Sequence, residues 1–316
     1  MKAAVIGLDT SNYRTSVAAV SADGEILFND RELLPVAAGM RGLRQSDAVF
    51  AHLKRFGEIG GHLFPEGGEY RVAAVAASAA PRDGEDSYMP VFQVGTSFGR
   101  MLAAMLEVPF FGTTHQRGHL AAAAMDTRLE KAEDMLALHL SGGTTDLLEV
   151  HEDRISQIGG SLDLHAGQLV DRAGVAMGLL FPAGPAMEEL AREGSGEGML
   201  GCSMSDGDLF CHFSGAESQV QRWVREGTIP REQIAREIYD LLARTISRML
   251  CAGAEKTGFR KALVTGGVAS SELFRRLLLQ RSERKRGAPK IVFGQPEMSG
   301  DNAVGVALIG LKAIRT

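Results

Sequence analysis

Apolar runs of strand length alternate with stretches of helical period along this chain, and their order carries most of its information. Residues 3–8 form an apolar run closed by the turn chemistry of Asp9-Thr10-Ser11-Asn12, and residues 15–20 form a second run. Asp23-Gly24 is a hairpin signal ahead of a third strand at 25–28. Val49, Phe50, Leu53 and Phe56 recur at helical spacing and predict a helix over 46–56. A buried strand at 72–77, a helix at 98–106 and a short strand at 108–111 follow. The order then restarts with an apolar run at 135–140, the polar turn Ser141-Gly142-Gly143-Thr144-Thr145, and strands at 146–150 and 154–158. The two stretches are weakly alike in letters but alike in element order. Ile238, Leu241, Leu242, Ile246, Met249 and Leu250 make one face of a helix predicted over 234–256. Leu263-Val264-Thr265 predicts a strand leading through Gly266-Gly267 into a helix at 273–279, the layout of a phosphate-binding loop. A strand at 291–293 and a helix over 302–314 complete the pattern. Ala303, Ala307 and Gly310 would let that last helix sit close to a sheet.

Composition narrows the class. Of 316 residues, 45% are hydrophobic and 23% charged, so a sizeable core is expected rather than disorder. A net charge of −5 is too acidic for a protein that coats nucleic acid non-specifically. The three cysteines, Cys202, Cys211 and Cys251, lack CxxC spacing and argue against a disulfide scaffold. The chain opens on a strand-like segment without a signal-peptide layout, and its apolar stretches are too short or too interrupted to span a bilayer. The expectation is a cytoplasmic globular protein. Residues 194–207, five of them glycine, read as a flexible loop. Arg275, Arg276, Arg281, Arg284, Lys285, Arg286 and Lys290 form the one strong positive cluster, read as a solvated helix end ahead of a nucleic-acid patch.

Three groups of residues could carry chemistry. His115-Gln116-Arg117-Gly118-His119 places two imidazoles at i and i+4, one turn apart on a helix face, which suits one metal ion given a third ligand. Gln116 stands where a metalloprotease would carry its general-base Glu, which argues against peptidase chemistry. Small residues in the Ser141–Thr145 turn would let backbone N–H groups approach an anion. Gly266-Gly267 is a second such loop, and Asp171, Gly184 and Asp301 are further candidates; a plain cap at a helix start is the simpler reading of Asp301.

Taken together and in order, these pieces resemble the tRNA threonylcarbamoyladenosine-synthesis transferase family, also described as glycoprotease-like or O-sialoglycoprotein endopeptidase-like. The resemblance runs from Val5 to about Ile309. It implies an α/β, actin-like ATPase (acetate kinase, sugar kinase, Hsp70) fold with two RNase H-like lobes around a nucleotide cleft. One lobe would hold residues 1–112 and the helix at 301–316, the other residues 113–300 with most of the metal and nucleotide site. Carried over residue by residue, His115, His119 and Asp301 match the family's ligands for one divalent transition metal, iron or zinc. Leu140, Ser141, Gly142, Gly143 and Thr144 fall on the substrate-phosphate loop, and Asp171 on the carboxylate that binds the ribose. Gly184 and Glu188 fall on the nucleoside-binding turn, and Gly266, Gly267 and Ser271 on the adenosine-side loop. The implied reaction moves a threonylcarbamoyl group from an adenylate to a tRNA adenosine beside the anticodon. An adenylate-forming enzyme, other actin-like subunits and a homo- or heterodimer are the implied partners. The departures are Thr144 for His, Gln168 for Glu, Ser271 for Asn, Asp9-Thr10-Ser11-Asn12-Tyr13-Arg14-Thr15 at the start, and residues 78–86 in place of a Gly-rich loop. They read as a divergent paralogue. The alternative is a metal- and nucleotide-binding actin-like module without tRNA transferase activity.

Overall fold

The computed structural model describes residues 2–11, 14–35, 43–63, 70–84, 86–152 and 154–315. Asn12 and Tyr13 of the opening turn, and Glu85, lie outside the described residues. The chain forms two compact units, residues 1–125 with 300–316, and residues 126–299. In chain order the first unit contains β1 (Lys2–Thr10), β2 (Arg14–Ser21), β3 (Ile26–Leu33), α1 (Gln45–Leu63), β4 (Tyr70–Ala80), α2 (Val91–Met105), β5 (Phe110–Thr114) and α3 (His115–Ala124). The second contains β6 (Asp134–Leu140), β7 (Thr145–His151), β8 (Arg154–Ser161), α4 (Ala166–Ala176), α5 (Gly184–Glu193), β9 (Ser203–Ser205) and β10 (Phe210–His212). It continues through α6 (Ser214–Glu226), α7 (Arg231–Thr257), β11 (Lys261–Thr265), α8 (Glu272–Glu283) and β12 (Lys290–Phe293), and α9 (Val304–Arg315) returns to the first unit.

The duplication is real in topology. The first sheet runs β3-β2-β1-β4-β5, an antiparallel meander followed by two parallel strands. The second runs β8-β7-β6-β11-β12 in the same sense, with the short β10 and β9 added beyond β8. β1 and β2 are apolar on both faces because both faces are covered, which is why they read as continuous runs rather than alternations. Ile6, Leu8, Val17, Val75 and Val94 close the core of the first unit. Leu136, Leu138, Leu147, Leu169, Leu242 and Phe274 belong to the core of the second.

Residues 113–125, assigned from the sequence to the second lobe, belong to the first unit. The reason is a backbone-to-backbone crossing of α3 with α9. A Cβ at Gly305 would strike the Gly118 carbonyl oxygen, and one at Gly118 would come 2.9 Å from Val306 Cγ2. α9 lies equally close to the sheet. A Cβ on Gly7 of β1 would collide with the Ala303 carbonyl oxygen, and one on Gly310 would sit 2.9 Å from Ala76 Cβ and Val5 Cγ1. The helix and strand expected at 46–56, 72–77 and 234–256 fall within α1, β4 and α7, while α2 starts seven residues before the expected 98. No helix among the described residues is long and apolar enough to cross a membrane.

The crossing predicts a stability test. Gly305→Ala should destabilise the protein by about 1–3 kcal/mol, because the extra methyl overpacks a contact between two helix backbones. Gly57→Ala, in α1 where a Cβ meets nothing, should be neutral or slightly stabilising, since Ala is the better helix former. Thermal melts of the two variants check this, and equal melting temperatures would contradict the crossing.

Candidate metal and nucleotide sites

α3 begins directly after β5, and Thr114 caps it by accepting the Arg117 N–H. The loop after β4 braces the same turn. Asp83 takes the Arg117 guanidinium in a fork, Nε to Oδ1 at 2.9 Å and Nη2 to Oδ2 at 2.6 Å, and accepts the Thr114 hydroxyl at 3.1 Å. Gln116 N–H donates to the Pro81 carbonyl at 3.0 Å. The divergent stretch after β4 is thus what holds the histidine-bearing turn in place.

From that turn His115 and His119 point the same way, their Nε2 atoms 3.0 Å apart. Asp301 Oδ1 lies 3.1 Å from His119 Nε2 and 3.6 Å from His115 Nε2. The three ligand atoms all fall within 4.8 Å of one another. Asp301 precedes α9 rather than capping it: Asn302 Oδ1 accepts the Val304 N–H at 3.2 Å. The simpler reading of Asp301 as a helix cap is therefore set aside, because the neighbouring amide does that work.

Two residues unassigned from sequence complete the geometry. Asp9, fully buried at the end of β1, holds both carboxylate oxygens 2.9 Å from His115 Nδ1. In the neutral ring that keeps the proton on Nδ1 and turns the Nε2 lone pair toward the common point. Ser11 donates its hydroxyl to Asp301 Oδ2 at 2.5 Å, which leaves Oδ1 to the histidines. Burial opposes a charge on His115, but the charge and hydrogen bond of Asp9 and the charge of Asp301 outweigh it and raise its pKa to about 9. Burial would likewise raise Asp301; the hydrogen bond from His119, the charges of both histidines and the Ser11 hydroxyl instead hold it far below the usual carboxylate range. Two carboxylates around two imidazoles make a point that favours positive charge. Two ring nitrogens and one carboxylate oxygen, with a second carboxylate behind one ring, form a donor set that a divalent transition metal accepts.

The nucleotide candidates lie in the second unit and form two groups. Ser141–Thr144 is a closed turn between β6 and β7, with Ser141 N–H on the Thr144 carbonyl at 2.8 Å and Gly143 N–H on Ser141 Oγ at 3.2 Å. A Cβ on Gly142 or Gly143 would meet only open space, whereas one on Gly167 would lie 2.6 Å from Gly142 N. The start of α4 therefore packs against the back of the turn and its front stays open. Gly266, at φ +102°, brings its backbone against the Leu140 carbonyl oxygen, an approach no side chain allows. Leu140 itself is fully buried. The helix expected at 273–279 lies within α8, and Gly267 leads into it through a short turn. A 3-10 turn over Val268–Ser270 intervenes, and α8 starts at Glu272 with Ser271 as its cap, accepting Phe274 N–H at 3.1 Å.

The other group gathers around Tyr239 of α7, which sequence reasoning missed because it sits inside an apolar helix face. Tyr239 donates its hydroxyl to the Gly184 carbonyl at 3.1 Å. Its pKa is pushed up by burial and by the nearby charges of Glu188 and Asp171, against a hydrogen bond with Ser271. Asp171 accepts Ala183 N–H at 2.8 Å and is itself raised by burial. Glu188 accepts Leu273 N–H at 2.8 Å. Asp171, Gly184, Glu188 and Ser271, up to a hundred residues apart in sequence, thus converge on one phenol. The departure at 168 also has a local role: Gln168 Oε1 accepts His165 N–H at 3.2 Å at the start of α4.

The glycine-rich stretch at 194–207 is not the loose loop its composition suggests. Buried Glu237 accepts N–H groups from Glu197, Gly198, Met199 and Leu200 at 2.5–3.3 Å, so one carboxylate organises four successive backbone donors. The basic cluster also divides. Arg275 turns inward, donating to the Ala269 and Gly294 carbonyls and stacking over Phe293, and so leaves the positive surface.

A family model described as TsaD, tRNA N6-adenosine threonylcarbamoyltransferase, matches residues 88–308. A tRNA N6-adenosine threonylcarbamoyltransferase of Clostridium perfringens (strain SM101 / Type A) is 27% identical over 328 residues, covering 99% of this chain and 92% of that protein. Among solved structures, a ROK family glucokinase from Streptomyces griseus, in complex with glucose and AMPPNP, aligns at TM-score 0.55 and 14% identity over 97% of this chain and 98% of its own. Full-length HypF aligns at 0.61 and 11% identity over 100% of this chain and 47% of its own. The activator of the 2-hydroxyisocaproyl-CoA dehydratase from Clostridium difficile aligns at 0.55 and 15% identity, covering 99% and 96%. These likenesses give the fold: an actin-like ATPase fold with two α/β units.

Behind the histidine pair, buried His52 of α1 accepts the Thr15 hydroxyl at Nδ1 (2.7 Å) and donates Nε2–H to the Ser11 carbonyl (2.8 Å), which pins the turn carrying Ser11. Burial lowers its pKa from 6.5, against the pull of the Ser11 hydrogen bond and Asp9. The unfolded chain then takes up a proton that the fold refuses, so this residue's stabilisation is present above pH 6.5 and is lost as pH falls below it. Melting curves between about pH 7.5 and 5.5 should show a smaller acid-side loss for His52→Gln than for the unaltered protein. Parallel slopes would contradict a neutral, buried His52.

Proposed function

The chain belongs to the tRNA N6-adenosine threonylcarbamoyltransferase family, and from that membership we propose that this tRNA-modifying transferase carries a threonylcarbamoyl group from threonylcarbamoyl-adenylate to the N6 amine of a tRNA adenosine beside the anticodon, in the cytoplasm. In that reaction the amine nitrogen attacks the carbamoyl carbonyl carbon and the carbon–oxygen bond to phosphate breaks. AMP leaves with the electron pair, and the amine proton passes to solvent or to the departing phosphate.

The observation that supports the reading is the convergence of His115, His119 and Asp301 within 4.8 Å, with Asp9 behind one histidine and Ser11 behind the carboxylate. These three would hold one divalent metal, iron or zinc. Such an ion supplies Lewis-acid polarisation of a carbonyl or phosphoryl oxygen when bound. Asp9 keeps His115 in the tautomer whose Nε2 can coordinate, and Ser11 keeps Asp301 from rotating. Gly142 and Gly143, with open space where a Cβ would stand, would let phosphate oxygens of the adenylate approach the backbone of this turn. Asp171 and Glu188, presented around Tyr239, would receive the ribose and base side together with Gly184, Gly266 and Gly267. No nucleophilic side chain is required, since the amine of the acceptor is the nucleophile. An adenylate-forming enzyme supplies the substrate, and other actin-like subunits of the modification system are the proposed partners.

Two measurements test this. Elemental analysis of the purified protein should give close to one transition metal per chain, and His119→Ala should lose it while still melting cooperatively. Full metal retention in that variant would overturn the ligand assignment. Labelled threonine incorporated into tRNA, with the adenylate-forming enzyme supplied, should be slow for this chain, because Thr144 offers no imidazole donor; loss of one such donor costs about 10²–10³ in rate. Thr144→His with Ser271→Asn should raise it, and the second change keeps the α8 cap because Asn serves there as well as Ser. No incorporation by either form, with adenylate bound, would favour a metal- and nucleotide-binding module acting on another acceptor.

A further inference from the structure

In the second unit, a group of basic side chains outside the proposed transfer site gathers at one place. Five cations, Arg244 and Arg248 of α7 with Arg281, Arg284 and Lys285 at the end of α8, line one recess of about 380 Å³. The C-terminal dipole of α8 accounts for the last three. It does not account for Arg244 and Arg248, which sit one turn apart in the middle of α7, where like charges repel. Carboxylates answer only part of this charge. Nearly buried Asp240 takes Arg281 at 2.5 Å and Arg244 at 3.5 Å, and Asp208 takes Arg248 in a fork at 2.6 and 2.9 Å. Arg284 and Lys285 have no carboxylate partner among the described residues. Five cations against two carboxylates leave three positive charges facing one concavity.

We propose that this recess binds the phosphate groups of a small phosphorylated ligand. Asp208 holds Arg248 in a fork, Asp240 accepts one bond from Arg281, and the Leu200 carbonyl accepts Arg244 Nη2 at 2.8 Å, so the remaining N–H donors are oriented before any ligand arrives. Three unanswered charges match a di- or trianionic phosphate or pyrophosphate group. A recess of about 380 Å³ is of the size that takes a small molecule. Cys202 lines the same recess and reports on it. Its half-buried thiol is drawn below the usual range by its hydrogen-bond partners, Cys211 first, against the effect of burial. The proposal is independent of the transfer reaction above.

The probe is pyrophosphate. Titration calorimetry should show a site that also slows alkylation of Cys202 by iodoacetamide, followed by mass spectrometry. Cys202 lines this recess and also a neighbouring one with Asp163, His212 and Ser214, so protection reads occupancy here where it is lost in the variant of Arg284 and Lys285 below. Arg284→Glu with Lys285→Glu, both on the surface, should weaken the site by about tenfold or more, since each lost charge-assisted contact approaches a factor of ten, and should abolish the protection with the melting temperature unchanged. Arg222→Glu with Arg276→Glu, exposed cations outside the recess, matches the change in net charge and should leave both readouts intact. Unchanged alkylation with pyrophosphate, an equal loss in the charge-matched variant, or protection by tRNA but not by pyrophosphate would each overturn the proposal.

Discussion

The close crossing of α3 with α9 is the contact on which the candidate metal site depends. Gly118 and Gly305 are both in helices, where glycine costs about 1 kcal/mol relative to alanine, and both stand where a Cβ would strike the opposing helix. Only with that contact closed does the carboxylate just before α9 come within 3.1 Å of a histidine on α3. Gly7 extends the same constraint to β1, whose end carries Asp9. Three glycines thus set the spacing of a site whose polar residues come from three separate stretches of chain. The site is rigid because its frame is backbone against backbone.

Charge then decides what that frame can hold. Asp9 and Asp301 flank His115, one at each ring nitrogen, and the pull of both carboxylates outweighs the penalty of burial. Buried charge is tolerated only where it is paired and hydrogen-bonded. Here every carboxylate oxygen has a partner: both Asp9 oxygens face His115 Nδ1, while Asp301 Oδ2 has Ser11 and Oδ1 has His119. The second unit uses carboxylates differently. Glu237 and Asp163 gather backbone N–H groups from loops, and Asp163 accepts from Leu164, Phe213 and Ser214. Gln233, Arg236 and Arg244 add further bonds to the stretch that Glu237 gathers.

The departures from the family pattern look different once these roles are visible. Gln168 and Ser271 each satisfy a backbone N–H at a helix start. They keep the backbone frame of the elements at the candidate nucleotide site. The stretch after β4 likewise trades a glycine-rich loop for Asp83, which clamps Arg117 and with it the first turn of α3. The divergence is therefore concentrated in how the site is braced and lined, and the three candidate ligands are kept.

The sequence by itself determined the repeated meander, the long α7, the small residues of α9 and the one-turn spacing of His115 and His119. Each of these is a local period or a local steric requirement, and such signals are complete within a few residues. Asp301 is joined to the histidines in the sequence only through resemblance, and Asp9, His52 and Tyr239 carry no signal that separates them from ordinary polar or core positions. Asp9 lies 106 residues from His115, and Ser11 lies 290 from Asp301. The tertiary structure alone decided those pairings, the membership of α3 in the first unit, the order of residues 194–207 and the division of the basic cluster. All of them turn on which backbone can approach which, or on which carboxylate meets which donors, and neither is written in the period of a single element.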